Sequence, residues 1–349
     1  MTKTIAKAAQ NYPHSRSLVR VSQRGVLALM LGTVALPVSG AWAQQVLSGA
    51  QTSTQSPTVG NGLPLVVTTT SGFSVDTTGP LGGGGTGIYL YSKGGISFTD
   101  TNQAAITGFK RGIDAVNRDQ TVNGVYPRNS VTVTTTGVVT GKEEGSYNGN
   151  GVSVVNEYGG DLTISVASVM GGGNGTAISA RGLNNSGALY IKATGAVGVE
   201  TAKTNATGIS AYNRGTDLTI SAATVMYGIK AVSKGSGALS ITATGEVTTS
   251  INAQQYQYGT SLTIDAAKVS GIISARNDGM GALLITASDD VTNQLGDAIY
   301  ARNAGTDLTI SATAVTGNAY GINATNNGTQ TDTYKKYTEQ KGEYIGHFE

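Results

Sequence analysis

The sequence predicts an all-β fold, a right-handed parallel β-helix of about ten rungs. Three observations lead there: a composition hostile to helices, short apolar patterns that recur in fixed order, and a spacing of about 22 residues between copies. Of 349 residues, 50 are Gly and only 6 Pro. No G-X-Y period accompanies the Gly, which excludes a collagen-like chain. Charged residues make up 13%, about half the share usual in soluble domains. Ser, Thr, Asn and Gly must then cover the surface. Gly and β-branched residues are poor helix formers and suit short strands joined by turns.

The first recurring pattern reads I-x-A-x-N. It occurs at Ile113–Asn117, Ile209–Asn213, Ile273–Asn277, Ile299–Asn303 and Ile322–Asn326, with looser copies from Ile88, Val152, Ile178, Ile229 and Ile251. From Ile209 the intervals are 20, 22, 22, 26 and 23 residues. Before it they are 25, 39, 26 and 31, as turn insertions would produce. The second pattern is L-x-I, from Leu162/Ile164 to Leu308/Ile310. The third is a Val five or slightly more residues after that Ile: Val169, Val197, Val225, Val247, Val269, Val291 and Val315. Each pattern alternates apolar with small or polar residues, as a strand with one buried face does. Three strands per repeat, separated by Gly- and Asn-rich turns, predict one rung of a solenoid. Rungs stacked at about 4.8 Å give a rod on the order of 50 Å. No rung buries its apolar face alone, so stability comes from stacking neighbours. The Ala column (Ala115, Ala211, Ala275, Ala301, Ala324) is small because the interior is narrow.

The Asn column is expected to be structural. Asn117, Asn156, Asn213, Asn277, Asn303 and Asn326 stand four residues after the first apolar residue of their rungs, and Gly215, Gly279, Gly305 and Gly328 follow two later. Asn tolerates left-handed backbone angles and bonds to nearby backbone, and Gly takes such angles freely. Stacked at one turn, the Asn side chains would form a ladder, interrupted at Ser92, Gly182, Ser233 and Gln255.

The N-terminus reads as an address. Lys3 to Arg24 form a basic stretch without acids, Gly25–Val38 a mostly apolar run, and Ala41-Trp42-Ala43 offers small residues to a signal peptidase. The apolar run is short of the roughly 20 residues that a membrane span needs. Cleavage is expected between Ala43 and Gln44. The formal charge of +2 then misleads. Removing Lys3, Lys7, Arg16, Arg20 and Arg24 from 23 basic residues leaves 18 against 21 acidic ones, a net of −3. A near-neutral chain with scattered charge gives no footprint for nucleic acid. With no Cys, packing rather than disulfides must supply stability. The expected domains are a signal peptide at 1–43, an N-terminal cap or lead-in segment at 44–87, β-helix repeats at 88–328, and a polar, disordered tail at 329–349.

A long basic signal followed by a Gly/Thr/Asn-rich solenoid with D-L-T-I and G-A-L-x-I rungs resembles the passenger region of bacterial type V autotransporters, which is pectin-lyase-like in fold. The resemblance covers roughly residues 1–328. It implies a cell-surface or secreted protein with an adhesive or interaction role. Two-partner-secreted filamentous adhesins share the fold, but the N-P-N-G-I-type motif usual in their N-terminal domain is missing. A complete autotransporter ends in an outer-membrane barrel of many alternating strands with aromatic girdles. The 27 residues after Ile322 supply two or three strands at most. No self-contained anchor is therefore expected in this chain once the signal is removed, and an exposed last rung is expected to favour edge-to-edge self-association.

Chemistry is sparse. His occurs only as His14 and His347, so a Ser-His-Asp triad or a multi-His metal site within the rod is not expected. No cofactor or metal is expected either. Gly82–Gly87 is not followed by the Lys-Ser/Thr of a phosphate loop, and reads as a turn. Asp161, Asp217 and Asp307 each precede a Leu-Thr-Ile strand. In alternating rungs they would stand about 10 Å apart, too far to share a calcium ion, and turn residues bonding to backbone are the expected reading. Asp289, Asp290 and Asp297 form the densest acidic patch, with Arg276 and Arg302 at matching positions on adjacent rungs. A polysaccharide lyase or hydrolase on the same fold is the rival that this patch keeps open, and an inert stalk or truncated product is a third. Tyr89, Tyr91, Tyr212 and Tyr300 alternate with inward positions and should point outward. With Arg276 and Arg302 they are the candidate contact residues for a host protein or glycan.

Overall fold

The computed structural model describes residues 43–59, 62–78, 85–118, 128–142, 149–184, 187–200, 206–328, 333–334 and 338–339. The described residues contain strands and turns and no helix. All strand pairings are parallel, and each rung pairs with the rungs before and after it in a right-handed β-helix. Right-handed winding is expected where a right-twisted strand returns to pair in parallel with its predecessor.

Two sheets carry the structure. The I-x-A-x-N strands form the second sheet, ten strands in sequential order from Thr86–Ser92 to Ile322–Asn326. Its register stacks like on like: Ile209, Ile229, Ile251, Ile273, Ile299 and Ile322 follow one another, as do Ala211, Ala231, Ala253, Ala275, Ala301 and Ala324. These side chains are buried, and Ile and Ala at alternate positions put a large and a small residue side by side in a narrow interior.

The first sheet differs from the expected three strands per rung. From Val131–Gly141 onward, L-x-I and the Val lie on one continuous strand that bends between them. Only in the earliest rungs are they separate, as Leu65–Thr69 and Ser74–Asp76 or Ile96–Asp100 and Ala105–Gly108. The bend takes few residues, so the hydrogen-bond ladder runs on through a register shift instead of breaking for a turn. Its length alternates strictly. Ala222 and Val225 in Leu218–Val225 are three residues apart, whereas Ala243 and Val247 in Leu239–Val247 are four apart, and each aligns with its counterpart. The same alternation continues through Ala266/Val269, Ala287/Val291 and Ala312/Val315. The longer bends read A-T-G-x-V where they keep the pattern. A Cβ at Gly245 would stand 2.8 Å from Thr224 Oγ1 and 2.9 Å from Ala223 O, so glycine lets the extra residue lie against the preceding rung.

The alternation is locked at the strand entrances too. The Asp161 carboxylate accepts the Ala188 N–H of the next rung at 2.8 Å, and Asp217 accepts Ala238 N–H at 2.8 Å. A Cβ at Gly187 or Gly237 would lie 2.2 Å from the same Asp Oδ1. Asp161 and Asp217 thus hold the G-A-L-x-I strands above them, and the structural unit is a pair of rungs.

Strands also occur where a lead-in and a tail were expected. Ala43–Leu47 pairs with Leu65–Thr69, which pairs with Ile96–Asp100, so the first sheet begins well before residue 88. Beyond residue 328, Thr333–Tyr334 and Thr338–Glu339 pair with Leu308–Gly317. Residues 1–42, with the basic stretch, the apolar run and His14, lie outside the described residues, as does His347.

Candidate functional surface

The polar interior has to be separated from the polar surface before any site can be named. Every inward Asn of the column is buried except Asn326, which is half-buried. Asn117 Nδ2 donates to Asn156 Oδ1 at 2.9 Å, Asn277 Nδ2 to Asn303 Oδ1 at 2.8 Å, and Asn303 Nδ2 to Asn326 Oδ1 at 3.0 Å. The amides also serve their own turns: Asn156 Nδ2 reaches Gly160 O at 2.9 Å, Asn213 Nδ2 reaches Asp217 O at 2.8 Å, and Asn277 Nδ2 reaches Gly281 O at 2.8 Å. These contacts satisfy turn carbonyls that water cannot reach.

The backbone reason offered for Asn and Gly needs correction. Among the described residues, the non-glycine positions with positive φ are Gln103, Asn184 and Tyr227, and none belongs to the column. Nor do Gly215, Gly279, Gly305 and Gly328 adopt positive φ. Instead each Gly N–H returns to the Oδ1 of the Asn two residues earlier, at 3.3, 3.1, 3.3 and 3.1 Å respectively. Glycine is required by stacking: a Cβ at Gly305 would lie 2.0 Å from Gly281 O.

Of the interruptions, Ser233 and Gln255 are neighbours in register. Gln255 Nε2 donates to Gly237 O at 2.8 Å. The longer side chain fits because Gly259 has no Cβ; one there would overlap Gln255 Nε2. Ser233 Oγ and Gln255 Oε1 are buried without a partner.

Asp100 is a buried acid that sequence reasoning missed. Asp100, fully buried, accepts Thr69 Oγ1 at 2.7 Å, Thr135 Oγ1 at 3.0 Å, and the Asn102 and Ala104 N–H groups at 3.1 Å each. Burial pushes its pKa up, but the four donors outweigh burial, and the pKa lies below the ordinary carboxylate value. Thr99-Asp100-Thr101 carries no repeat signal; the alternation with Ile96 and Phe98 places the residue inward, and the register sets it beside Thr135.

The predicted contact residues lie on the outer face of the second sheet. Tyr89 and Tyr300 are each 37% exposed, and Tyr91 and Tyr212 half-buried. The face does not gather the four tyrosines: Tyr89 and Tyr91 lie on Thr86–Ser92, far along the stack from Tyr300 on Ile299–Asn303. It does bring Arg276 and Arg302 together as direct register partners. Arg276 Nε donates to Asp278 Oδ1 at 2.9 Å. Lys234 Nζ stands 4.6 Å from the Tyr256 ring centroid and 5.9 Å from that of Tyr212. A shallow depression of about 260 Å³ crosses four strands between Lys230 and Arg302.

The acidic patch is arranged differently. Asp289 and Asp290 are exposed on the first sheet at the bend of Leu283–Asn293, where Asp290 pairs in register with Ala314. Asp289 Oδ1 accepts the Asp290 N–H at 2.9 Å. Asp297 precedes the second-sheet strand and accepts Asn323 Nδ2 at 2.9 Å. The arginines and the Asp289–Asp290 pair therefore belong to different sheets. Among the described residues, no three His, Cys, Asp or Glu side chains converge as metal ligands would. Ala43 and Gln44, the expected cleavage junction, open the first strand and pair with Leu65 and Val66. Comparison of the chain with known protein families, curated proteins and solved structures yields no match.

Proposed function

We propose that the chain is an exported β-helical passenger of the autotransporter type, displayed at or released from the cell surface, where its solenoid makes adhesive contact with a host protein or glycan. The observation that carries this reading is the division of labour between columns. Inward polar residues are spent on the turns and on one another, while the outward columns of the second sheet are not required by the fold and hold exposed Tyr, Lys and Arg. A stacked face of this kind offers extended contact area without a deep pocket. The signal-like N-terminus supports export, and the D-L-T-I/G-A-L-x-I rungs support the passenger assignment.

A lyase or hydrolase would need acids and a base converging on one groove. The separation of Asp289 and Asp290 from Arg276 and Arg302 favours contact over cleavage. The test is adhesion of the purified protein to epithelial cells and matrix components, with mass spectrometry of the exported form. Dose-dependent adhesion and an N-terminus near Gln44 are expected. Degradation of an acidic glycan that is lost in an Asp289→Asn/Asp290→Asn variant would replace this reading with the enzymatic one.

A further inference from the structure

On the outer face of the second sheet, register sets Val232, Gln254, Arg276 and Arg302 in one column. Two like charges directly opposite each other on paired strands are destabilising. Asp278 offsets Arg276, but Arg302 has no ion-pair partner among the described residues, and neither does Lys230 two strands beyond Arg276. Gln254 and Thr325, next to the same column's charged members, show that the fold accepts neutral residues there. The cations are also segregated. In the later rungs Arg214, Lys230, Lys234, Arg276 and Arg302 lie on or beside the second sheet. On the first sheet, Lys268 is matched by Glu246 at 3.3 Å, and the acids Asp265, Asp289 and Asp290 predominate.

We propose that the depression between Lys230 and Arg302 binds a polyanionic polysaccharide, sulfated or carboxylated, lying along the rod axis across the strands. This rests on the reading that the solenoid works by contact. A chain in that direction meets a new strand about every 4.8 Å, a step comparable to one sugar ring. Arg276 and Arg302 then face successive anionic groups, whose charge offsets their mutual repulsion. The neutral amides of Asn252 and Gln254 lie beside the cations and match sugar hydroxyls. Tyr300 lines the depression, and an aromatic ring is a surface on which the C–H face of a sugar stacks. An acidic peptide fits less well. Every strand in this depression is paired on both sides, so strand addition has no free edge to use, and the shallow floor has no pocket for an anchoring side chain.

The experiment measures binding of the purified full chain to immobilised heparin, polygalacturonate, neutral dextran and polyglutamate. Binding to heparin or polygalacturonate, weakening with salt, is expected; which of the two binds identifies sulfate or carboxylate as the anion. Arg302→Gln should weaken it about tenfold, the effect of losing one charge-assisted contact. Lys230→Gln/Arg276→Gln/Arg302→Gln should abolish it, and Lys268→Gln on the first sheet should leave it unchanged. Circular dichroism checks that these outward variants keep the wild-type fold. Equal binding to dextran, preference for polyglutamate, or a triple variant that binds as wild type would overturn the proposal. If the protein adheres to cells but binds neither anionic glycan, the site assignment fails and the contact reading stands. If it does neither, both fail.

Discussion

Replacing Asn303 by Ala tests the ladder at its most connected step. The amide accepts from Asn277 Nδ2 at 2.8 Å and from Gly305 N–H at 3.3 Å, and donates to Asn326 Oδ1 at 3.0 Å and Asp307 O at 3.2 Å. Some partners keep a second bond: Asn277 Nδ2 retains Gly281 O, Asn326 Oδ1 retains Gly328 N–H, and Asp307 O retains Leu283 N–H. Gly305 N–H loses its acceptor in a site that water cannot reach. One orphaned donor costs about 1–3 kcal/mol and each lost ladder bond about 0.5–1.5 kcal/mol. The expected loss is therefore about 3 kcal/mol. Asn303→Asp should cost more, because a buried carboxylate would face Asn326 Oδ1 and the Asp307 carbonyl with no proton to offer. Thr325→Ala, on the outer face of the next strand, should stay within about 0.5 kcal/mol. Since rungs of a solenoid unfold partly independently, the readout is amide hydrogen exchange of the rungs from Ile273 to Asn326, alongside urea unfolding followed by circular dichroism. An Asn303→Ala variant as stable as Thr325→Ala would refute the claim that the ladder holds the turns.

Ile220→Asp should bury an unpaired charge and cost several kcal/mol, while Thr219→Asp on the outer face should be nearly neutral; equal shifts in urea midpoint would mean that the strand face is wrong. Gly305→Ala should destabilise clearly because its Cβ would collide with Gly281 O, whereas Ala304→Gly next to it should change stability by about 1 kcal/mol or less. Asp100 has a folded-state pKa below its unfolded value, so its contribution to stability is complete above the ordinary carboxylate pKa and is lost as pH falls through the depressed one. Asp100→Asn should accordingly flatten the acid side of the stability–pH curve below about pH 4, and an unchanged acid limb would contradict that assignment.

The core of this fold was legible because one residue type repeats at one place. Ile, Leu and Val columns recur at nearly constant spacing, and only an inward position in a stack demands the same side chain rung after rung. The paired-rung unit was half legible. D-L-T-I and G-A-L-x-I alternate in plain view, but that Asp217 reaches the Ala238 N–H, and that Gly237 is there to make room for the carboxylate, depends on the stacking of two turns that lie 20 residues apart. The continuous first-sheet strand was hidden because a bend of three or four residues reads in sequence as a turn between strands. Asp100 was hidden for a related reason. It occurs once, in a rung whose neighbours offer Thr69 and Thr135, and a carboxylate that does not recur rung after rung carries no periodic signal.

The same logic bears on function. In a solenoid each inward position answers to the residues above and below, so its identity is dictated by stacking. An outward position on a paired strand answers only to weak cross-strand terms, worth about 0.2–1 kcal/mol. Departures from those terms are therefore where selection for something other than folding would show. Thr and Ser on most of the first sheet's outer face depart from nothing. Arg276 beside Arg302 does, because the register sets like charges side by side where Gln254 and Thr325 show that neutral residues fit. A scaffold this regular makes such an exception readable, and the exception lies with Lys230 and Tyr300 on a depression that crosses four strands.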